Sequence, residues 1–214
     1  MIKEEKKTSY SSIKRRKFTD AGFRLFSQRS IEAVTLDEVA SEAGVGIATL
    51  YRYFENKPNL VIEIATDLWR SFYNEVARGY VARGAEKMTA AQRFEFFLDS
   101  FISLYQNHKD VLTFNRNFDS YVKHEHCTEM QMSEYNKVVG LFESRFQRIY
   151  NKAKEDGTLR IKMSERKMFI NTMYIMLSVA GKYAEGLVFP FDYSQDMTEE
   201  LYMLKKMMLD AYKT

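Results

Sequence analysis

The sequence predicts an all-α protein, with an N-terminal three-helix bundle built around a helix-turn-helix corner and a larger C-terminal helical domain. Glycine and proline supply only 9 and 2 of the 214 residues, about half the share of an average globular chain, so turns are few and elements long. Apolar side chains recur at helical spacing through almost every segment. The stretch "TLDEVASEAGVGIATLYRYFENK", residues 35–57, sets two short helical patterns around a pair of glycines.

Composition narrows the class. With 45% hydrophobic and 14% aromatic residues, the chain has none of the low-hydrophobicity signature of disorder. The opening "MIKEEKKTSYSSIKRRKF" is charged where a secretory signal needs an apolar core, so a cytoplasmic protein is expected. The longest uncharged stretch, Met168 to Gly181, contains Asn171 and falls short of the roughly 20 apolar residues of a membrane span, so no membrane association is expected. A single cysteine, Cys127, excludes an internal disulfide and fits a reducing compartment. Net charge is +3, but it is lopsided. Residues 1–30 hold nine Lys or Arg against Glu4, Glu5 and Asp20, and a positive arm beside a compact helical corner points to a polyanion.

Taken in order, residues 1–10 read as unstructured, and Ser11 or Ser12 can cap a first helix. Its apolar side holds Phe18, Ala21, Gly22, Phe23, Leu25 and Phe26, with Lys14, Arg15 and Lys17 opposite. Thr35 and Glu38 form an S/T-x-x-E capping box that opens the second helix. Leu36, Val39, Ala40 and Ala43 follow as an i, i+3, i+4, i+7 stripe, and Gly44 ends the helix in the left-handed conformation that suits glycine. Only Val45 and Gly46 precede the third helix. Two helices joined so tightly must cross steeply, as in a helix-turn-helix. On the third helix Ile47, Leu50 and Phe54 share the inner side, which places Ala48, Thr49, Arg52 and Tyr53 outward and Tyr51 on the flank. A threonine and two tyrosines there supply hydrogen bonds and flat apolar contact, which a groove-reading helix requires. Asn56 caps a fourth helix with Pro58 in its first turn. Lys57 sits at that helix start, where the dipole disfavours a cation, unless a phosphate lies nearby.

This stretch resembles the DNA-binding signature of TetR-family transcriptional regulators, close to T-x-x-x-I-A-x-x-A-G-V-S-x-G-T-L-Y-x-Y-F-x-x-K. Thr35, Val39, Ala40, Ala43, Gly44, Val45, Thr49, Leu50, Tyr51, Tyr53, Phe54 and Lys57 stand at the matching places. The resemblance implies that Thr49, Tyr51, Tyr53 and Lys57 touch operator DNA, mostly its phosphates, and that Thr35 meets the backbone. Gly46 stands where the pattern has serine and Ala48 where it has glycine. The first departure removes a cap and a phosphate contact, and the second adds a methyl to the DNA face. Thr35, Ala48, Thr49, Tyr51, Arg52, Tyr53 and Lys57 are the candidate DNA-binding residues, in an expected DNA-binding domain of residues 1–56.

Residues 57–214 then form the expected ligand-binding and dimerisation domain. The fourth helix runs to about Arg83 with Val61, Ile64, Leu68, Phe72 and Val76 inward. Thr89 opens a fifth, which turns Phe94, Phe97, Phe101, Leu104 and Tyr105 to one side. A sixth carries Val111, Leu112, Phe114, Phe118 and Tyr121. After a polar break, a seventh at about Glu129–Glu155 has Met132, Tyr135, Val139, Phe142, Phe146 and Ile149 inward, closed by Gly157. Aromatics and methionines at this density, with a few polar groups among them, suit a cavity for a small ligand. The candidate lining is Phe97, Phe101, Tyr105, Phe114, Phe118, Met132, Tyr135 and Phe142, with Asn115 and Asp119 as polar anchors. Asp119, as the main nearby charge, favours neutral or cationic hydrophobic molecules. The resemblance likewise implies an enclosed inducer.

The last two helices, about Ser164–Leu187 and Gln195–Tyr212, have a different character. The earlier one is apolar nearly all round and must be covered on two sides. The later one offers Leu201, Leu204, Met208 and Ala211 as a stripe. An isologous four-helix interface in a homodimer covers both. Catalytic chemistry finds no constellation. His124, His126 and Cys127 lie together with no partner pair at metal-ligand spacing, and neither an oxyanion turn nor a phosphate-binding glycine loop is present. No enzyme, metal or cofactor is therefore expected. The expected function is ligand-responsive, sequence-specific transcriptional regulation, with a homodimeric repressor released from a double-stranded operator by a small hydrophobic effector. The alternative is a helical binding or enzymatic module in which the helix-turn-helix is only structural.

Overall fold

The computed structural model describes residues 2–186 and 196–214, with side chains from Ser11 onward. Among the described residues the regular structure is helical: α1 (Ile2–Gln28), α2 (Leu36–Ala43), α3 (Ile47–Phe54), α4 (Lys57–Ala82), α5 (Ala90–Asn107), α6 (Lys109–His124), α7 (Ser133–Asp156), α8 (Glu165–Glu185) and α9 (Thr198–Tyr212). A 3-10 turn at Ala85–Lys87 precedes α5. α1 starts well ahead of Ser11 and Ser12, the expected caps. The reason is local: the opening residues are mostly Lys, Glu and Ser, with no glycine or proline before Gly22, and Lys and Glu are good helix formers. The expected helix ends at Leu187 and Gln195 lie outside the described residues.

The chain forms two compact units, one of Met1–Leu68 with Phe114–Asn136, the other of Trp69–Thr113 with Lys137–Thr214. In the first, α1, α2, α3 and the start of α4 enclose Phe18, Phe26, Val39, Leu50, Phe54, Leu60 and Ile64. Phe114, Phe118 and Tyr121 of α6 join the same core. Phe18 meets Phe54 edge-on at 6.1 Å, and Phe23 meets Phe114 at 5.8 Å. Helix α1 packs against α4 at Gly22, where a Cβ would stand 2.8 Å from Ile64 Cδ1. Before α7, Thr128 and Gln131 close a turn of their own through Gln131 N–H to Thr128 Oγ1 (3.3 Å) and Thr128 N–H to Gln131 Oε1 (3.0 Å). That turn delays α7 to Ser133 instead of the expected Glu129.

In the second unit α5 is central. Thr89 and Gln92 form its capping box. Asp156 Oδ2 and Thr158 Oγ1 accept the N–H groups of Ala90 and Ala91 at 2.8 and 3.0 Å, so the first-turn amides that no helix can satisfy internally are met. Rings of Phe97, Phe146 and Phe169 follow one another at 5.4 and 5.6 Å. Lys205 of α9 donates to Asp99 at 2.6 Å and pairs with Glu95 at 2.9 Å, fixing α9 on α5. On α7, Val138 is buried and Val139 only half-buried. Phe142, Phe146 and Ile149 are buried as expected, so the difference from the expected stripe is confined to Val139, whose neighbour takes the inward place. α8 turns Met168, Phe169, Met176 and Ala180 inward but leaves Ile170, Tyr174 and Ile175 exposed. α9 buries Leu201 and Met208 and exposes Tyr202, Met203 and Met207. Ala211, expected within the α9 stripe, is exposed.

Candidate nucleic-acid interface

The corner is assembled from short-range bonds. Thr35 Oγ1 accepts the Glu38 N–H at 3.2 Å, and the Glu38 carboxylate accepts the Thr35 N–H at 2.7 Å. Arg29 Nη1 reaches the same carboxylate at 2.7 Å. Together, the Thr35 amide first and Arg29 next, these donors hold the Glu38 carboxyl down at about 2. Gly44 ends α2 at φ 62°, a left-handed conformation that glycine adopts without strain, and its N–H with that of Val45 closes the helix onto the Ala40 and Ser41 carbonyls. α3 then begins at Gly46, whose carbonyl accepts the Thr49 N–H at 2.9 Å; no side chain caps this end. That agrees with the missing serine. Asn56 Oδ1 accepts the Asn59 N–H at 2.9 Å and caps α4.

Leu50 and Phe54 anchor α3 in the core, while Ala48, Tyr51 and Arg52 are exposed and Thr49 is half-buried. Tyr51 is 49% exposed. The expected order of the tyrosines is thus reversed. Tyr53, placed outward by the helical count, is half-buried against Phe18 at 6.3 Å and Phe54 at 6.4 Å. A hydrogen bond with Ser11 pulls its hydroxyl below the ordinary tyrosine range, and Arg52 adds to this from 5.6 Å off the ring. The reason is the length of α1, whose N-terminal turns pass beside α3.

Arg15 is similarly committed. Expected on the open basic side, it forms a two-pronged pair with Glu63, with Nε to Oε1 at 2.5 Å, and lies 4.8 Å from the Phe54 ring. Lys57 donates to the Glu32 carbonyl at 3.3 Å and lies 5.7 Å from the Tyr121 ring, with desolvation lowering its pKa. Thr35 has its hydroxyl engaged in the capping box.

A family model described as bacterial regulatory proteins, tetR family, matches residues 18–64, the segment containing this corner. Through this segment the chain is similar to TetR-family regulators. Its relatives include the HTH-type transcriptional repressor KstR2 of Rhodococcus jostii, 28% identical over 117 residues, which are 52% of this chain and 57% of that protein. The chain thus matches little more than half of that curated relative's length. Among solved structures, the fatty acid degradation regulator FadR from Bacillus halodurans shares the fold at TM-score 0.68 and 16% identity, over 92% of this chain and 94% of that one. The FadR of Bacillus subtilis in complex with stearoyl-CoA does so at TM-score 0.69 and 14% identity, over 91% and 97%.

The ten candidate ligand residues divide between the units. Phe97, Phe101, Tyr105 and Phe142 are buried in the second, and Tyr105 Oη accepts the Met197 N–H at 3.1 Å. Phe114 and Phe118 are buried in the first, where Phe118 lies 4.9 Å from Tyr135. Met132 and Tyr135 pack partly buried against that core. Asn115 is half-buried and Asp119 exposed, although packing around the Asp119 carboxyl raises its pKa by desolvation. A groove of about 360 Å³ opens elsewhere in the second unit, at the start of α5, lined by Thr89, Gln92, Glu95, Thr158, Leu209 and Lys213. No cluster of metal-ligating side chains and no helix long and apolar enough to cross a membrane occurs among the described residues.

Two polar residues outside the candidate site residues stand out. Asn117 on α6 reaches the end of α1. Arg145 is buried on α7, and its signal lay in the pattern, where an arginine occupies the inner side between Phe142 and Phe146.

Proposed function

We propose that the chain is a ligand-responsive, sequence-specific transcriptional repressor, cytoplasmic and homodimeric, released from its operator by a small hydrophobic molecule. The reading divides it into a DNA-binding domain at 1–56 and a ligand-binding and dimerisation domain at 57–214. The observation that carries the proposal is the exposed face of α3, where Ala48, Tyr51 and Arg52 stand clear of a core held by Leu50 and Phe54, inside the family match. Thr35, Thr49, Tyr53 and Lys57 flank it as phosphate and sugar contacts. Apolar rows left open on α8 and α9 support the dimer. The stearoyl-CoA complex of the FadR neighbour supports a hydrophobic effector.

In the dimer, effector binding changes the separation of two α3 helices that must match about one DNA turn, 34 to 36 Å, to dock together. Selecting bound duplexes from a random library and titrating the enriched sequence over a salt series tests the reading. A single enriched palindrome, with affinity falling linearly in log salt, is expected. Failure to enrich any sequence overturns it.

A further inference from the structure

Arg145 is 9% exposed, and among the described residues its Nη1 is buried with no hydrogen-bond partner. Its surroundings are aromatic. The guanidinium carbon lies 4.6 Å from the Tyr73 ring and 5.3 Å from that of Tyr80, two α4 residues seven apart and hence on one side of the helix. One turn before it on α7, Phe142 contacts Trp69, Phe72 and Tyr73 at 5.7, 5.9 and 5.2 Å.

An arginine cannot shed its charge on burial. The half-buried Lys205 of the same unit, by contrast, is compensated by Asp99 and Glu95. Ring faces attract the charge of Arg145, yet they give its N–H groups no acceptor oxygen, and an unmet buried donor is costly. The group that meets guanidinium geometry best is a carboxylate or similar oxyanion, through two parallel hydrogen bonds. Access exists, because Tyr73 and Tyr80 are only half-buried, and the neighbouring cluster of Trp69, Phe72 and Phe142 suits an apolar remainder.

We infer that Arg145, flanked by Tyr73 and Tyr80, is the docking point for the anionic head of the effector, a hydrophobic carboxylate. The inference rests on the effector-responsive reading above, deepens it, and reverses the sign of charge that Asp119 suggested.

The test measures thermal shift and calorimetric affinity of the full-length chain with dodecanoate, 1-dodecanol and dodecyltrimethylammonium, each below its micelle concentration. The wild type and the Arg145→Met and Arg145→Lys variants are compared. The wild type is expected to bind dodecanoate at least tenfold more tightly than the alcohol, with the cation weakest. Arg145→Met removes that preference, and Arg145→Lys keeps part of it. Should Arg145→Met fail to fold, the wild-type series and Arg145→Lys decide the matter. Equal binding of acid and alcohol, or a preference surviving in Arg145→Met, overturns the role of Arg145 while leaving a hydrophobic effector standing. Binding of none of the three overturns both.

Discussion

The side-chain amide of Asn117 on α6 donates to two carbonyls at the C-terminal end of α1, Phe26 O at 3.1 Å and Arg29 O at 3.3 Å. A helix leaves its last carbonyls without internal partners, and here a residue some ninety positions further along the chain supplies the donors. α6 is thereby fastened to the helix on which α2 and α3 are packed. Replacing Asn117 by Leu leaves both carbonyls to water and is expected to cost about 1 kcal/mol. Asn117→Asp puts a carboxylate against the same oxygens and costs more. Urea midpoints of the two variants check the order, and equal midpoints for wild type and Asn117→Asp rule out the bond as a stabilising one.

Gly22 is closely packed, with a Cβ there 2.8 Å from Ile64 Cδ1 and 3.2 Å from Phe26 Cε2. Gly22→Ala gains about 1 kcal/mol of helix propensity, while moving two core side chains costs about 1 to 3 kcal/mol. Mild destabilisation is therefore expected. Gly22→Val adds two further carbons to the same gap and is expected to leave little folded protein, read as loss of the cooperative thermal transition. A Gly22→Val protein as stable as wild type would show that α1 and α4 have room to separate.

What the sequence revealed of this corner was what depends on near neighbours. The Thr35–Glu38 box, the left-handed Gly44 and the Asn56 cap each involve residues within a few positions, so residue type and spacing determine them. Arg15 and Tyr53 were misplaced because Glu63 and Ser11 lie 48 and 42 residues away, and helical counting gives a side chain's direction without naming what waits there. Phe114 and Phe118 were read as candidate cavity lining, and periodicity could not tell that their neighbours are Phe23 and Tyr135. Arg145 was overlooked because a charged residue within an apolar stripe was passed over.

The acid limb of stability carries a signature of Glu38. Its carboxyl titrates at about 2 in the folded chain against an ordinary 4.5. A lowered folded value means a contribution that is complete above pH 4.5 and is lost as pH falls towards 2. Glu38→Gln keeps an acceptor for the Thr35 N–H but cannot ionise or pair with Arg29. Urea midpoints between pH 5 and 2.5 are therefore expected to fall less steeply for Glu38→Gln than for wild type. Parallel curves would assign the acid sensitivity to other groups.

Tyr51, Tyr53 and Lys57 are expected to fail in three different ways. Tyr51 is 49% exposed, so Tyr51→Ala keeps stability within about 0.5 kcal/mol while operator affinity falls. Tyr53→Ala also unpacks Phe18 and Phe54, losing about 1 to 2 kcal/mol of folding stability. Lys57→Ala weakens all DNA sequences alike and lowers the salt slope by about one unit. An unchanged slope in a folded Lys57→Ala protein removes Lys57 from the interface.

The open apolar rows decide how the dimer should be tested. Met176, at the centre of α8, is fully buried within the subunit, so a charge there would break the core and say nothing about assembly. Tyr174 and Met203, 69% and 65% exposed in the single chain, can carry a charge without disturbing it. Side chains this large and apolar are seldom left in a group on a soluble monomer's surface, and a second copy of the same surface is the simplest cover. The wild type is expected to run as a dimer by light scattering at micromolar concentration, and Tyr174→Glu with Met203→Glu as a monomer of unchanged helicity. Operator affinity should drop with it, because a monomer engages one half-site and loses the gain from holding both. A wild-type monomer, or a double variant that remains dimeric, would remove α8 and α9 from the interface.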